Sequence, residues 1–418
     1  MNTDFTPLPV TRREFFRWGG RGLGLLAFSR FAPSFLVQSA LAATPAPEKD
    51  RSVLVLVQLA GGNDGLNTVV PFEDAAYYNL RPTLAVPKAQ ALRLTATAGL
   101  NPACAPLAAL YKSGKLAIVQ NVGYPNPNRS HFRSTEIWET ASAADQSLST
   151  GWVGRYLDNY CAGRPGLEGP VALHVTGETP QSFQSAMPHP TFGLAAGGLG
   201  RQQQSENLGL LRRLAAHDGG HADGNSSFLR ATLMDALVTE EKVQGILAAY
   251  RPSTGADYAG SQFAQALRNV AALVAAGLPT RVYFVSLGGF DNHSNQANPH
   301  TNNLRTLSEG LAAFQADLEG KKLDGQVLTM TFSEFGRRPA ENQSRGTDHG
   351  TAAPLVVMGS RAKGGLHGTA PLLSGLAPNQ DLTFSTDFRR IYATVLDKWL
   401  ATPSRAILGA NHAPLGFV

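Results

Sequence analysis

SVLVLVQLAGGND, residues 52–64, predicts a buried strand that runs into a turn. Its first nine residues are almost all apolar and several are β-branched, which is typical of a parallel strand covered on both faces. Gly61 and Gly62 end the run and place Asp64 directly after it. Ligands bind beyond the carboxyl ends of such strands, so Asp64 is a candidate site residue.

The same pattern recurs along the chain and decides the fold class. Five further apolar runs predict strands: LAIVQNVGY (116–124), GPVALHVTG (169–177), RVYFVSLGG (281–289), QVLTMTF (326–332) and PLVVMG (354–359). Helical patterns at about 258–276, 304–318 and 384–400 alternate with the later runs. Alternating strands and helices predict an α/β three-layer sandwich, in which a mainly parallel sheet has helices on both faces.

Polar residues follow these predicted strands. Ser130 comes after the second run, Asp291 and His293 lie in GGFDNH after the fourth, and Glu334 follows the fifth in SEFGR. The carboxyl ends of parallel strands share one edge of the sheet, so these residues are expected to gather there. Asp348 and His349 form an adjacent pair in GTDHG, and a carboxylate and an imidazole on such a turn can bind one cation. The set predicts a metal site.

Each of these residues also has a structural interpretation. Asp64 could cap a turn, and Asp291 with His293 could belong to a solvated loop. Glu334 could form a salt bridge with Arg337 or Arg338 instead of binding metal. Ser130 stands where a helix N-cap would stand, or its hydroxyl could act as a nucleophile beside a cation. Arg129 and His131 flank it, as residues that hold an anionic substrate or as surface residues.

The N-terminus is typical of an export signal. Residues 1–42 combine Arg12-Arg13, an apolar stretch containing Gly22 and Gly24, and the small residues of Ala40-Leu41-Ala42, which predicts a twin-arginine signal peptide and recognition by that export machinery. We expect a mature protein, residues 43–418, in the periplasm or outside the cell, without a stable membrane span.

Composition narrows the possible partners. The signal carries five Arg against Asp4 and Glu14, so about +2 of the formal charge of +5 remains in the mature chain, which gives no case for nucleic acid. Cys104 and Cys161 are the only cysteines, and one disulfide between them is an open alternative. The polar, Gln-rich stretch at about 197–254 predicts an insertion or cap.

Five motifs in order, GGND, RSHF, GGFDNH, SEFGR and GTDHG, resemble the bacterial family catalogued as domain of unknown function 1501. That family belongs to the alkaline phosphatase and sulfatase-like superfamily, whose fold carries one or two divalent metal ions at the strand ends. The resemblance implies that Asp64, Ser130, Asp348 and His349 hold one ion. It assigns Asp291, His293 and His367 to a second ion, with His300 competing for the role of His293.

The resemblance implies an exported hydrolase of phosphate or sulfate esters, with Ser130 as nucleophile, a small anionic ester as substrate, and Zn, Mn, Mg or Ca as cofactor. No Cys/Ser-x-Pro-x-Arg motif occurs at Ser130, so a formylglycine mechanism is not expected. Two alternatives remain. One is an envelope binding or assembly protein that keeps the fold without turnover, and the other is a phosphotransferase or mutase.

Overall fold

The computed structural model describes residues 51–162, 170–194, 240–258, 260–377 and 379–418. Apart from residues 240–244, these belong to one compact unit. The predicted signal peptide and most of the predicted insertion lie outside the described residues and stay predictions. Within the described ranges, no helix combines the length and the apolar character needed to cross a bilayer.

A nine-stranded sheet forms the centre of the fold. Its strands are β1 (Val53–Leu59), β5 (Leu116–Gly123), β6 (Ala172–Val175), β7 (Thr191–Gly193), β8 (Val282–Leu287), β9 (Val327–Phe332), β10 (Ala353–Met358), β11 (Gly365–His367) and β12 (Thr386–Asp387). The order is β11-β5-β10-β9-β1-β8-β6-β7, with β12 also paired to β5. A separate sheet contains β2 (Val69–Val70), β3 (Leu92–Arg93) and β4 (Gly99–Leu100). The predicted mainly parallel sheet is confirmed.

Helices flank the sheet as the alternating pattern predicts. They are α1 (Gly65–Thr68), α2 (Ala75–Leu80), α3 (Ala105–Lys112), α4 (His131–Thr140), α5 (Trp152–Cys161), α6 (Gln262–Ala275), α7 (Ala297–Gly320), α8 (Phe388–Thr394) and α9 (Ser404–Leu408), and residues 240–249 are also helical. Helix α7 packs against α3 and α6, whereas α5, α8 and α9 pack together beside α4. Cys104 and Cys161 are not joined by a disulfide.

Strand β10 runs against its neighbours, and this reversal matters for the site. It pairs antiparallel with both β5 and β9, while the other pairs of this sheet are parallel. The residues that precede β10 therefore lie at the same edge as the residues that follow β1, β5, β8 and β9. Asp348 and His349 reach the predicted edge from the N-terminal side of a strand.

Aromatic packing fixes helix α4, whose first residue is His131. The Trp138 ring stacks on Phe388 with centroids 4.3 Å apart and lies 6.0 Å from Phe332 of β9. All three side chains are buried, and buried aromatic rings contribute large apolar areas to a core. The second half of α4 is thereby held against the carboxyl end of β9.

Candidate metal centre

Backbone contacts bring three loops together at this edge. Residues 336–338 pair with 348–350, through Arg338 N–H to Asp348 O (3.0 Å) and Gly350 N–H to Gly336 O (2.8 Å). The Thr347 N–H donates to Asn292 O at 3.2 Å, which joins the loop after β8. Gly61 has φ +115, and a Cβ there would lie 2.5 Å from Asp291 N, so glycine permits the close approach of β1 and the β8 loop.

Three imidazoles converge on one carboxylate in this cluster. The Nε2 atoms of His293 and His349 lie 2.9 and 3.2 Å from Asp291 Oδ1, and His131 Nε2 lies 3.4 Å from Asp291 Oδ2. The His293 and His349 Nε2 atoms are 3.0 Å apart. The ligand atoms of His131, Asp291 and His349 all lie within 4.8 Å of one another.

These spacings fit a small divalent cation. Ligand atoms bonded to a tetrahedral Zn²⁺ at about 2.0–2.1 Å stand roughly 3.3 Å apart. Imidazole nitrogens suit zinc better than magnesium or calcium, which prefer oxygen ligands. The group His131, Asp291 and His349, two imidazoles and one carboxylate, therefore fits a divalent cation, and His293 adjoins it through Asp291 and His349.

Each of the three imidazoles has an oxygen partner at its other nitrogen. Nδ1 of His131 lies 3.0 Å from Glu334 Oε1, Nδ1 of His293 lies 3.4 Å from Asp348 Oδ1, and Nδ1 of His349 lies 2.8 Å from the Arg129 carbonyl. An oxygen at Nδ1 favours the tautomer that carries its proton there and leaves Nε2 free as a ligand. All three rings thus present Nε2 towards Asp291.

Glu334 and Asp348 consequently lie behind the imidazoles. Glu334 is buried, and its Oε1 also accepts the Gly61 N–H at 2.7 Å. Asp348 accepts from Asn342 Nδ2 at 3.1 Å, and this hydrogen bond is the main reason that its pKa is lowered. The structure brings both predicted ligands to the cluster, where their carboxylates contact histidines.

Asp291 also pairs with a buried arginine. Arg337 Nη2 donates to Asp291 Oδ1 at 2.6 Å, and the Arg337 side chain is 1% exposed. Partial burial raises the pKa of Asp291, but the hydrogen bond from Arg337 and the charge of its guanidinium outweigh it, and the pKa is lowered to about 2. Burial also lowers the pKa of His349. A carboxylate and a neutral imidazole are the forms that bind metal ions.

Ser130 and Arg129 lie beside the cluster on the exposed turn before α4. Ser130 occupies the N-cap position, but its side chain makes no capping hydrogen bond. Arg129 Nη1 lies 3.3 Å from Asp381 Oδ2, and Arg338 Nε lies 3.4 Å from Asp381 Oδ1. Two arginines therefore share one carboxylate, which leaves a surplus positive charge near Ser130.

The structure does not bring Asp64 or His367 into the cluster. Asp64 is 1% exposed and accepts from Arg81 Nη1 at 2.6 Å, from Asn67 N–H at 3.4 Å and from Gln296 Nε2. His367 lies on β11, where Nε2 is 2.8 Å from the Lys363 carbonyl. His300, the competitor of His293, is buried, and its Nε2 lies 3.1 Å from Asn63 Oδ1.

Sequence reasoning placed His131 in the site but missed it as a ligand. The sequence indicates it only as a neighbour of Ser130, because it stands eight residues beyond the end of β5, whereas Asp64 stands five residues beyond the end of β1. The sequence gives no indication of Arg81. Its contact with Asp64 crosses two loops, and such a contact leaves no local pattern in the sequence.

A family model described as "Protein of unknown function (DUF1501)" matches residues 108–414. The chain belongs to the DUF1501 family. The predicted family is thus confirmed, and of the predicted site residues only Asp64 lies outside the matched range. No curated protein matches this DUF1501 sequence.

Solved structures are similar to this DUF1501 chain at low identity. The PsFucS1 sulfatase from Pseudoalteromonas sp. is 12% identical, with 92% of this chain and 77% of that chain covered and a TM-score of 0.38. An alkaline phosphatase superfamily protein from Vibrio parahaemolyticus is 11% identical over 84% and 71%, at 0.34. The C-terminal periplasmic domain of EcEptC from Escherichia coli, in complex with Zn, is 11% identical over 76% and 75%, at 0.33.

Proposed function

We propose that this protein is an exported, zinc-dependent hydrolase of phosphate or sulfate esters. The observation that carries the proposal is the convergence of three Nε2 atoms on Asp291, each imidazole being held at Nδ1 by an oxygen. His131, Asp291, His293 and His349 would hold the ion. Glu334 and Asp348 would orient His131 and His293, and the proposal leaves Asp64 and His367 outside the metal site.

The residues beside the cluster support an anionic ester as substrate. A bound divalent cation supplies positive charge that stabilises the ester oxygens and the leaving group. Arg129 and Arg338 share Asp381, so one of them can turn to an anionic group without leaving that carboxylate unpaired. Ser130, exposed and free of a capping hydrogen bond, is the proposed nucleophile.

The first test is elemental analysis of protein exported by its native route. We expect bound zinc in the wild-type protein and a large loss of zinc in His349→Gln. His189→Gln is a matched control, because His189 lies 2.7 Å from Asp158 in another partly buried His–Asp pair. Equal zinc content in all three proteins would contradict the assignment of the cluster.

The second test is hydrolysis of an aryl phosphate and an aryl sulfate by the zinc-loaded protein. We expect Ser130→Ala to lose turnover while it keeps its zinc, since Ser130 is assigned to the reaction and not to metal binding. Turnover that survives this change would remove Ser130 from the proposal and leave the metal site standing.

One contact favours the non-catalytic alternative. Asp291 is already paired with buried Arg337, so a positive charge faces this carboxylate without any metal ion. An envelope binding protein could keep the cluster as a salt-bridged network. Zinc-free exported protein with unchanged thermal stability after chelator treatment would favour this alternative.

A further inference from the structure

A cavity of about 590 Å³ lies beside the cluster, between the end of β5 and the start of β10. Its walls include Gln120 and Asn121 of β5, Ala353 and Pro354 of β10, and Leu66 of α1. Arg337 is the one lining residue that also contacts the cluster residues described above. The volume lies in the range of small-molecule binding sites.

A β-bulge brings two neighbouring residues to the wall of this cavity. Ala353 pairs with Val122 and Leu355 pairs with Val119, so β5 carries one extra residue at Gln120–Asn121. Asn121 has φ +50, outside the usual strand conformation. Successive side chains of a regular strand point to opposite faces, and a bulge removes that alternation. Gln120 and Asn121 therefore both line the same cavity.

Both side chains keep unused hydrogen-bonding capacity. Gln120 is 8% exposed, and its amide makes no hydrogen bond to any part of the chain that the structure describes. Asn121 is 5% exposed and donates from Nδ2 to Thr383 O at 2.8 Å, while its Oδ1 has no partner within the described residues. Buried amides without partners are rare in proteins because they cost free energy. Asn121 Oδ1 is fully enclosed, so the Gln120 amide is the group that offers a donor and an acceptor to a ligand.

The other lining residues indicate the polarity and charge of the rest of the ligand. Leu66, Val69 and Leu382 are buried apolar residues, and they form an apolar surface for a hydrocarbon body. Glu73 and Asp74 also line the cavity. Glu73 pairs with Lys88 at 2.7 Å, and one oxygen of Asp74 caps α2. Arg337 also lines the cavity, but its guanidinium is engaged by Gly62 O, Thr347 O and Asp291. The carboxylate of Asp74 therefore disfavours an anionic head group.

We propose that this cavity binds a small uncharged amphiphile, with an apolar body against Leu66, Val69 and Leu382 and a head that both donates and accepts hydrogen bonds. A carboxamide or an alcohol is such a head. Its donor faces Gln120 Oε1, and its acceptor faces Gln120 Nε2. This binding is independent of the metal cluster and of the proposed hydrolysis.

The test compares three probes of equal chain length: octanamide, methyl octanoate and octanoate. Isothermal titration to the exported protein should show saturable binding of octanamide, weaker binding of methyl octanoate, which cannot donate, and no binding of octanoate. Gln120→Leu keeps the volume of the side chain and removes its polar atoms. It should weaken octanamide binding roughly ten- to a hundredfold, the usual effect of two neutral hydrogen bonds, and weaken methyl octanoate less.

A pair of surface variants checks the location. Ala370 is an exposed lining residue, whereas neighbouring Thr369 is exposed and does not line the cavity. Ala370→Phe should weaken both octanamide and methyl octanoate, and Thr369→Phe should weaken neither. The proposal is overturned if octanamide does not bind, if octanoate binds as well as octanamide, if Gln120→Leu leaves the preference for the amide unchanged, or if Thr369→Phe acts as strongly as Ala370→Phe.

Discussion

Asp64→Asn should destabilise the protein without removing its metal. The Asp64 side chain is 2% exposed and pairs at 2.6 Å with Arg81, whose side chain is fully buried. Arg81 is also bound to the backbone through Nε to Pro339 O (2.7 Å) and Nη2 to Arg338 O (3.0 Å). The guanidinium is therefore held in place and cannot move into solvent when Asp64 loses its charge.

The size of the effect follows from this geometry. Removing one member of a buried ion pair costs about 3–5 kcal/mol, because the other charge stays buried without compensation. Asparagine retains a carbonyl oxygen that can accept from Arg81, so we expect a loss of about 3 kcal/mol in the free energy of unfolding. Burial raises the pKa of Asp64, but Arg81 outweighs it and the net pKa is lowered, so the charged form is present at neutral pH.

Urea unfolding at pH 7, followed by tryptophan fluorescence, measures the loss, and elemental analysis of the same samples measures zinc. Arg81→Met and the double variant complete a thermodynamic cycle, in which the double variant should lose less than the sum of the single losses. Zinc loss in Asp64→Asn with unchanged stability would refute this reasoning and restore Asp64 as a metal ligand.

Three further predictions concern pH, the residues behind the imidazoles, and metal removal. Burial lowers the pKa of His300 from 6.5 to about 4. As the pH decreases, the unfolded chain therefore takes up a proton on this residue before the folded chain does, and the free energy of unfolding should fall between about pH 6.5 and about pH 4. His300→Gln should flatten that part of a plot of unfolding free energy against pH, and an unchanged slope would contradict the assignment. Glu334→Gln should weaken zinc binding about 10- to 100-fold, as changes behind a ligand histidine commonly do, measured by competition with a chromogenic chelator. Zinc at 100 times its dissociation constant should stabilise the chelator-treated protein by about 2.7 kcal/mol, seen as a higher melting temperature, and His349→Gln should show no such response.

The sequence predicted the main strands because their composition is extreme. The strands β1, β5, β8 and β9 lie within predicted apolar runs, and β10 begins one residue before its run, at Ala353. The helix predicted at 304–318 forms as Ala297–Gly320. The reversal of β10 could not be predicted, since an apolar run such as PLVVMG looks the same in either direction. The helix predicted at 384–400 begins later, at Phe388, because β12 takes Thr386–Asp387.

The sequence predicted where the candidate site lies, but it predicted less well what each residue does there. Asp291, His293 and His349 have ligand types and follow or precede strands, so their convergence was readable. Glu334 and Asp348 lie behind histidines because their carboxylate oxygens meet Nδ1 atoms. Small displacements decide such pairings, and the sequence does not encode them. Arg81 neutralises Asp64 from another loop, and no spacing in the sequence encodes that contact.

Because strand β10 is reversed, one short segment of the chain supplies several residues of the candidate centre. Glu334, Arg337, Asp348 and His349 all lie within residues 334–349, where the chain leaves β9, turns and enters β10 at the same edge. One short segment thus carries a histidine, the carboxylates that orient two other histidines, and the arginine that holds Asp291. A one-residue deletion in the turn at 339–346 would shift one arm against the other. Such a change would disturb all three imidazoles at once, so the length of this turn should matter more to the centre than its composition.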